Sequence, residues 1–129
     1  MSVLIVIGLP GSGKSHYSVD LKDYIVYDDC LFSFYDGKAL TDIKKGRNVC
    51  LNDPRLCDFL SFERLIEKIK VFTGDISLVL FTNNPEQCLK NTHNRDNKRG
   101  ISKSILQYSK IYNLENYKQY KHVILPVYQ

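Results

Sequence analysis

The sequence predicts an α/β domain with a five-stranded, mainly parallel sheet and helices on both faces. Two observations lead there. Short unbroken apolar runs, which suit strands buried on both faces, alternate with segments of helical period, and that alternation marks strand–helix–strand units. The first run also passes through a glycine-rich turn straight into a helical segment, an arrangement with its own chemistry. With 129 residues, 43% of them hydrophobic and 25% charged, the chain has the size of one domain, so 1–129 is read as a single unit.

Ser2-Val3-Leu4-Ile5-Val6-Ile7 is the first expected strand. It runs into Gly8-Leu9-Pro10-Gly11-Ser12-Gly13-Lys14-Ser15, which fits the phosphate-loop pattern of glycine, four residues, glycine, lysine and a hydroxyl residue. Glycines at 8, 11 and 13 let the backbone curl until several N–H groups, those around Ser12 and Gly13 included, meet one anion. The helix expected from Lys14 to about Leu21 adds its positive end, with Tyr17, Val19 and Leu21 partly buried. Lys14 would reach the outer phosphates of a nucleoside triphosphate, and the Ser15 hydroxyl would ligate Mg²⁺. An incidental lysine in a glycine-rich turn is the plain alternative, and the strand before and helix after speak against it.

Tyr24-Ile25-Val26-Tyr27 is β-rich and gives the second strand, ending at Asp28-Asp29. In open α/β sheets ligands bind at the C-terminal ends of strands, so an acid there can face the phosphate loop; it can equally cap a turn. Between Leu31 and Lys45 the pattern is indistinct, with a turn at Asp36-Gly37 and a short helix from Ala39 to Lys45 stopped by Gly46. Arg47-Asn48-Val49-Cys50-Leu51-Asn52-Asp53 reads as a third strand closing on an acid. Such an acid can hold Mg²⁺, directly or through water, and ahead of Pro54 it can also cap a helix. Phe59, Phe62, Leu65, Ile66 and Ile69 then recur with helical period over 59–72, which is core packing.

Gly74-Asp75 turns the chain into the fourth strand, Ile76 to Phe81, and Asn83-Asn84-Pro85 opens a helix reaching about Thr92. His93-Asn94-Arg95-Asp96-Asn97-Lys98-Arg99-Gly100 has no apolar member and belongs at the surface. Arg95 and Arg99 are four apart, so a helical continuation puts both guanidinium groups on one face, able to grip adjacent phosphate oxygens. Ser102 is the expected cap of a helix that turns Ile101, Ile105, Tyr108 and Tyr112 inward, and His122 to Val127 forms the fifth strand.

The net charge is +4, yet eight Lys or Arg fall between Lys90 and His122 against Asp96 and Glu115, so this half favours an anionic ligand unless its lysines merely solvate helix faces. Cys30, Cys50, Cys57 and Cys88 lack any Cys-x-x-Cys spacing and are read as buried, unpaired thiols. No apolar run approaches the roughly 20 residues of a membrane span, and the start of the chain lacks the flank and cleavage site of a signal peptide. A cytoplasmic protein is expected.

The loop from Gly8 to Ser15, Asp28-Asp29 after the second strand, the apolar strand ending at Asp53, and Arg95-Asp96-Asn97-Lys98-Arg99-Gly100 together resemble the kinase domain of the bacteriophage type of polynucleotide 5′-kinase, and the wider group of small phosphate-loop kinases. The similarity keeps the same order across nearly the whole chain, including Leu125-Pro126-Val127-Tyr128, and it is the ordered set that is specific. The resemblance implies a three-layer P-loop kinase fold with strand order 2-3-1-4-5. It implies transfer of the γ-phosphate of ATP, with Mg²⁺, to the 5′-hydroxyl of DNA or RNA. Asp28 would be the general base, Lys14 and Ser15 would steady the donor phosphates and metal, and Arg95 and Arg99 would form a lid at about 93–100. Phosphoryl transfer, which needs positioning and charge neutralisation more than covalent help, suits those roles.

The chain also departs from that pattern. Where the phage enzyme has an arginine before the paired acids and another two residues after them, this sequence has Tyr27 and Leu31, and the motif after the third strand is Asp53-Pro54-Arg55-Leu56. A nucleic-acid 5′ end therefore shares the field with a nucleoside, nucleotide or other metabolite as acceptor. Tyr27, Phe32, Phe34 and Tyr35 can stack bases or fill core. A nucleotide-binding module without catalysis is the third reading, and the joint presence of Lys14, Ser15, Asp28, Arg95 and Arg99 argues against it. Oligomeric state is not readable from the sequence.

Overall fold

A computed structural model describes residues 2–30, 37–93 and 100–129. Five strands, β1 (Val3–Ile7), β2 (Ile25–Asp28), β3 (Val49–Asn52), β4 (Ile76–Phe81) and β5 (His122–Leu125), pair in the order β2-β3-β1-β4-β5. All four pairings are parallel. The helices between them are α1 (Lys14–Ser18), α2 (Lys38–Lys44), α3 (Phe59–Lys70), α4 (Pro85–Asn91) and α5 (Ile101–Ile111), with 3-10 turns at Pro54–Cys57 and Leu114–Tyr117.

Alternate residues of the central strands feed two separate cores, as the period of two in a strand requires. Val3, Ile5 and Ile7 join Leu51, Leu78 and Leu80 against Phe62, Leu65, Ile66 and Ile69 of α3, and Tyr112 and Tyr117 close this larger core. Val6, Cys50, Val79 and Phe81 form the smaller core on the other face, against Tyr17 of α1 and Leu21. The three central strands are thus covered on both sides, while β2 and β5 form the sheet's edges, with Ile25, Val26, Val123 and Ile124 exposed. The three-layer α/β fold and the order 2-3-1-4-5 are as the sequence led us to expect.

Local departures have local causes. α1 stops at Ser18, so the inward face runs through Lys14, Tyr17, Ser18 and Leu21, and Val19 is 75% exposed rather than partly buried. Gly100, with φ 68°, occupies the cap of α5 in place of Ser102. β5 ends at Leu125, because Pro126 has no N–H for the ladder. All four cysteines are buried and free. Among the described residues, no helix is long and apolar enough to cross a membrane.

A parallel sheet sends every strand's C-terminal end to the same edge. The register sets Val6 beside Asn52 and Asn52 beside Asp28, so the ends of β1, β3 and β2 lie in one row. The phosphate loop leaves β1 at that row.

Candidate functional site

The loop is held in shape by its own lysine. Lys14 Nζ donates to the carbonyl oxygens of Gly8 and Leu9, both at 2.8 Å, and the Ser12 N–H donates to Leu9 at 3.1 Å. Gly11 (φ 82°) and Gly13 (φ 109°) lie in the left-handed region that glycine enters without strain. Side chains would not fit there either: a Cβ on Gly11 would fall 2.6 Å from Thr92 Cγ2, and one on Gly13 would fall 2.7 Å from Tyr128 Cβ. Gly13 caps α1, whose first N–H groups have no partner within the helix and so are available to an anion.

Burial pushes the Lys14 ammonium down to about 8, while Cys57, Cys88, Asp53 and Asp29 pull the other way. The desolvation that lowers it is what a bound polyanion would offset.

Opposite the loop, β2 delivers Asp28 and then Asp29, a non-glycine residue held at φ 49°. The turn this makes leaves both carboxyl-bearing residues exposed at the rim of a cleft of ≈ 560 Å³. Gly11, Gly13, Lys14 and Ser15 line one wall of the cleft, and Asp28, Asp29, Asn52 and Pro54 line it from the β2 and β3 ends. Asn52 is buried, and its Nδ2 donates to Ser18 Oγ at 3.0 Å, which in turn donates to the Lys14 carbonyl at 2.8 Å. The end of β3 is thereby tied to the helix that carries the loop lysine.

Asp53 does not line the cleft. Its carboxylate is fully buried, accepts from the Arg55 N–H and Nε at 2.9 Å each, and pairs with Arg55 at 2.6 Å. The capping role that the sequence allowed is therefore realised, with Pro54 at the first position of the 3-10 turn. A cation could claim this carboxylate only in competition with a guanidinium already placed on it. Ser15 remains at the cleft wall, and among the described residues no cluster of three or more His, Cys, Asp or Glu is placed to hold a metal.

A second, mostly apolar cleft of ≈ 650 Å³ lies beyond α1, between Tyr17, Leu21 and Phe81 on one side and Leu125 and Val127 on the other. It shares Gly13, His16 and Tyr128 with the first cleft. The His16 and Tyr128 rings meet there with centroids 4.3 Å apart.

Of the residues singled out from sequence, Gly11, Gly13, Lys14, Ser15 and Asp28 meet around one cleft, and Ser12 is buried just behind it. Arg95 and Arg99, and with them most of the expected lid, lie outside the described residues, as do Leu31, Phe32, Phe34 and Tyr35. Tyr27 donates its hydroxyl to Asp42 of α2, which also holds Arg47. Sequence reasoning passed over Asn52, Asn91 and His16, and took Tyr128 only as part of the ordered resemblance. Asn52 carried a usable signal, a polar residue at the end of an otherwise apolar strand. Asn91 carried none, since its role depends on contacts distant along the chain.

No family model matches the sequence. The chain is 43% identical over 138 residues to "Uncharacterized protein R277" of Acanthamoeba polyphaga mimivirus, a match covering 98% of this chain and 97% of that protein.

Proposed function

The chain belongs to one family with that mimiviral protein, and for it we propose an ATP- and Mg²⁺-dependent phosphotransferase that moves the γ-phosphate to a hydroxyl acceptor. The observation that carries this reading is the single cleft in which a phosphate loop with its lysine stands opposite Asp28. A donor phosphate and an acceptor hydroxyl have room to approach one another there, with an anion-binding wall on one side and a carboxylate on the other. The adjoining apolar cleft fits the nucleoside part of the donor.

The roles follow from the positions. Lys14, released from the Gly8 and Leu9 carbonyls, and the N–H groups at the start of α1 neutralise charge on the transferring phosphoryl. Ser15 would lend its hydroxyl to Mg²⁺, and Asp53 would join the metal's surroundings only if Arg55 gave way. When bound, the metal screens the donor phosphates' negative charge. Asp28 accepts the proton of the acceptor hydroxyl as its oxygen bonds to the γ-phosphorus. The bond from that phosphorus to the β–γ bridging oxygen breaks, and ADP departs with the electron pair. Arg95 and Arg99 take the lid role that the resemblance implies. Work in the cytoplasm suits the four free thiols.

The 5′-hydroxyl of DNA or RNA is the leading acceptor, on the ordered resemblance to polynucleotide 5′-kinases. Two features favour a small acceptor instead. The Tyr27 hydroxyl is committed to Asp42, and Asp28 and Asp29 together make the β2 end of the cleft unwelcoming to a phosphate backbone.

Transfer of labelled γ-phosphate to 5′-hydroxyl oligonucleotides, nucleosides and nucleoside monophosphates separates the two. Label on an oligonucleotide, lost in Lys14→Ala and Asp28→Asn, supports the polynucleotide reading; label only on a nucleoside or monophosphate moves the protein to the small-acceptor kinases. ATP bound without transfer to any acceptor would overturn the catalytic reading and leave a nucleotide-binding module.

A further inference from the structure

The phosphate loop is gripped from outside as well as from within. Asn91, the last residue of α4, donates through Nδ2 to the Gly11 carbonyl at 2.9 Å and to the Tyr128 carbonyl at 2.6 Å. The Tyr128 N–H in turn donates to the Ser12 carbonyl at 2.9 Å. Gln87, one turn earlier in α4, donates from Nε2 to Asn91 Oδ1 at 2.9 Å, which fixes the amide with its donors toward the two carbonyls.

These bonds matter because a peptide unit is planar, with its C=O and N–H pointing opposite ways. Drawing the Ser12 carbonyl outward to Tyr128 turns the Gly13 N–H inward. The close approach of Tyr128 Cβ to Gly13, and of Thr92 and the Cys88 carbonyl to Gly11, shows the same outer surface pressed against α4 and the segment after β5. Two kinds of observation, hydrogen bonds and glycine-only contacts, thus converge on one clamp.

We infer that Asn91, oriented by Gln87, is a positioning residue that fastens the segment after β5 onto the phosphate loop and so presets the loop's N–H groups for a polyphosphate. The inference rests on the donor reading given above. Asn91 acts through Gly11 and Tyr128 and need not touch the phosphates itself.

The test uses Asn91→Leu, which keeps a similar volume, adds no charge beside the cleft that Asn91 lines and loses the donor, and Gln87→Leu, which frees the amide. Calorimetric titration with ATP and with inorganic tripolyphosphate should show affinity about tenfold weaker in Asn91→Leu and less reduced in Gln87→Leu, the order expected for one or two neutral hydrogen bonds. In steady state the KM for ATP should rise in that ratio while the KM for the acceptor stays in place. Amide hydrogen exchange supplies a readout that needs no ligand: the amides of Ser12, bonded to the Leu9 carbonyl, and of Tyr128, bonded to the Ser12 carbonyl, should exchange faster in both variants while those of Ile5 and Val6 in β1 keep their protection. Exchange that is unchanged at the loop, or that accelerates equally in β1, would overturn the clamp. Wild-type protein that binds neither ATP nor tripolyphosphate would instead overturn the donor reading, and loop exchange would then decide the clamp by itself.

Discussion

The two walls of the cleft are built on opposite plans. The phosphate loop grows from the central strand β1, its lysine is buried, and its carbonyls are taken up by Lys14, Asn91 and Tyr128. Asp28 and Asp29 end the edge strand β2, exposed and in a turn that forces a non-glycine residue to φ 49°. One wall is preset around a buried lysine; the other is open. In a phosphotransferase that contrast divides the labour, because the donor gains from a rigid cradle and the acceptor from an accessible base.

Removing the rigid wall's charge should have the largest effect. Lys14→Ala should lower label transfer by at least about 10³-fold with every acceptor, as loss of the main counterion for the phosphoryl group implies. Asp28→Asn should cut turnover by about 10²- to 10⁴-fold while ATP affinity in calorimetry stays within about twofold, since the donor wall is untouched. An equal collapse of ATP binding in Asp28→Asn would show that the walls are not independent.

The burial of Lys14 gives the contrast a pH signature. Its folded-state value of about 8 lies below the ordinary 10.5, so the unfolded chain binds more protons between those limits and stability to urea should rise as pH increases through that window. Nucleotide binding should move the other way. The anion needs the ammonium form, so ATP affinity should be level below pH 8 and fall by up to about tenfold per pH unit above it, with proton uptake on binding visible in buffers of different ionisation enthalpy. The smallest effect is expected at the open wall's anchor. Tyr27→Phe leaves Asp42 paired with Arg47, so it should cost about 1 kcal/mol in urea unfolding and leave ATP affinity unchanged.

Much of this fold was legible because its signals are local. Ile76 to Phe81 is apolar at every position but Ser77 and is bounded by turn residues, and β4 has those limits. The period of Phe62, Leu65, Ile66 and Ile69 reports the buried face of α3 directly. Val19 was misread because a helix of five residues turns too little for a longer pattern to apply. At the site, the loop motif located Gly11, Gly13, Lys14 and Ser15, and the strand-end rule located Asp28. Asp53 remained two-valued in sequence because capping and metal binding ask for the same carboxylate; its partner Arg55, two residues on, is what the structure adds. Asn91 was illegible, as nothing near it in sequence shows that Gly11 lies against it.

The bond from Asn91 to Gly11 joins residues 80 positions apart, and the segment after β5 closes over both. Closing so long a span costs chain entropy that few contacts repay until the sheet is assembled. The phosphate loop, although it lies near the start of the chain, therefore completes its outer contacts only when Asn91 and Tyr128 have docked on it. Recovery of tripolyphosphate binding during refolding should not precede that docking, which would make ligand competence a reporter of the far end's arrival.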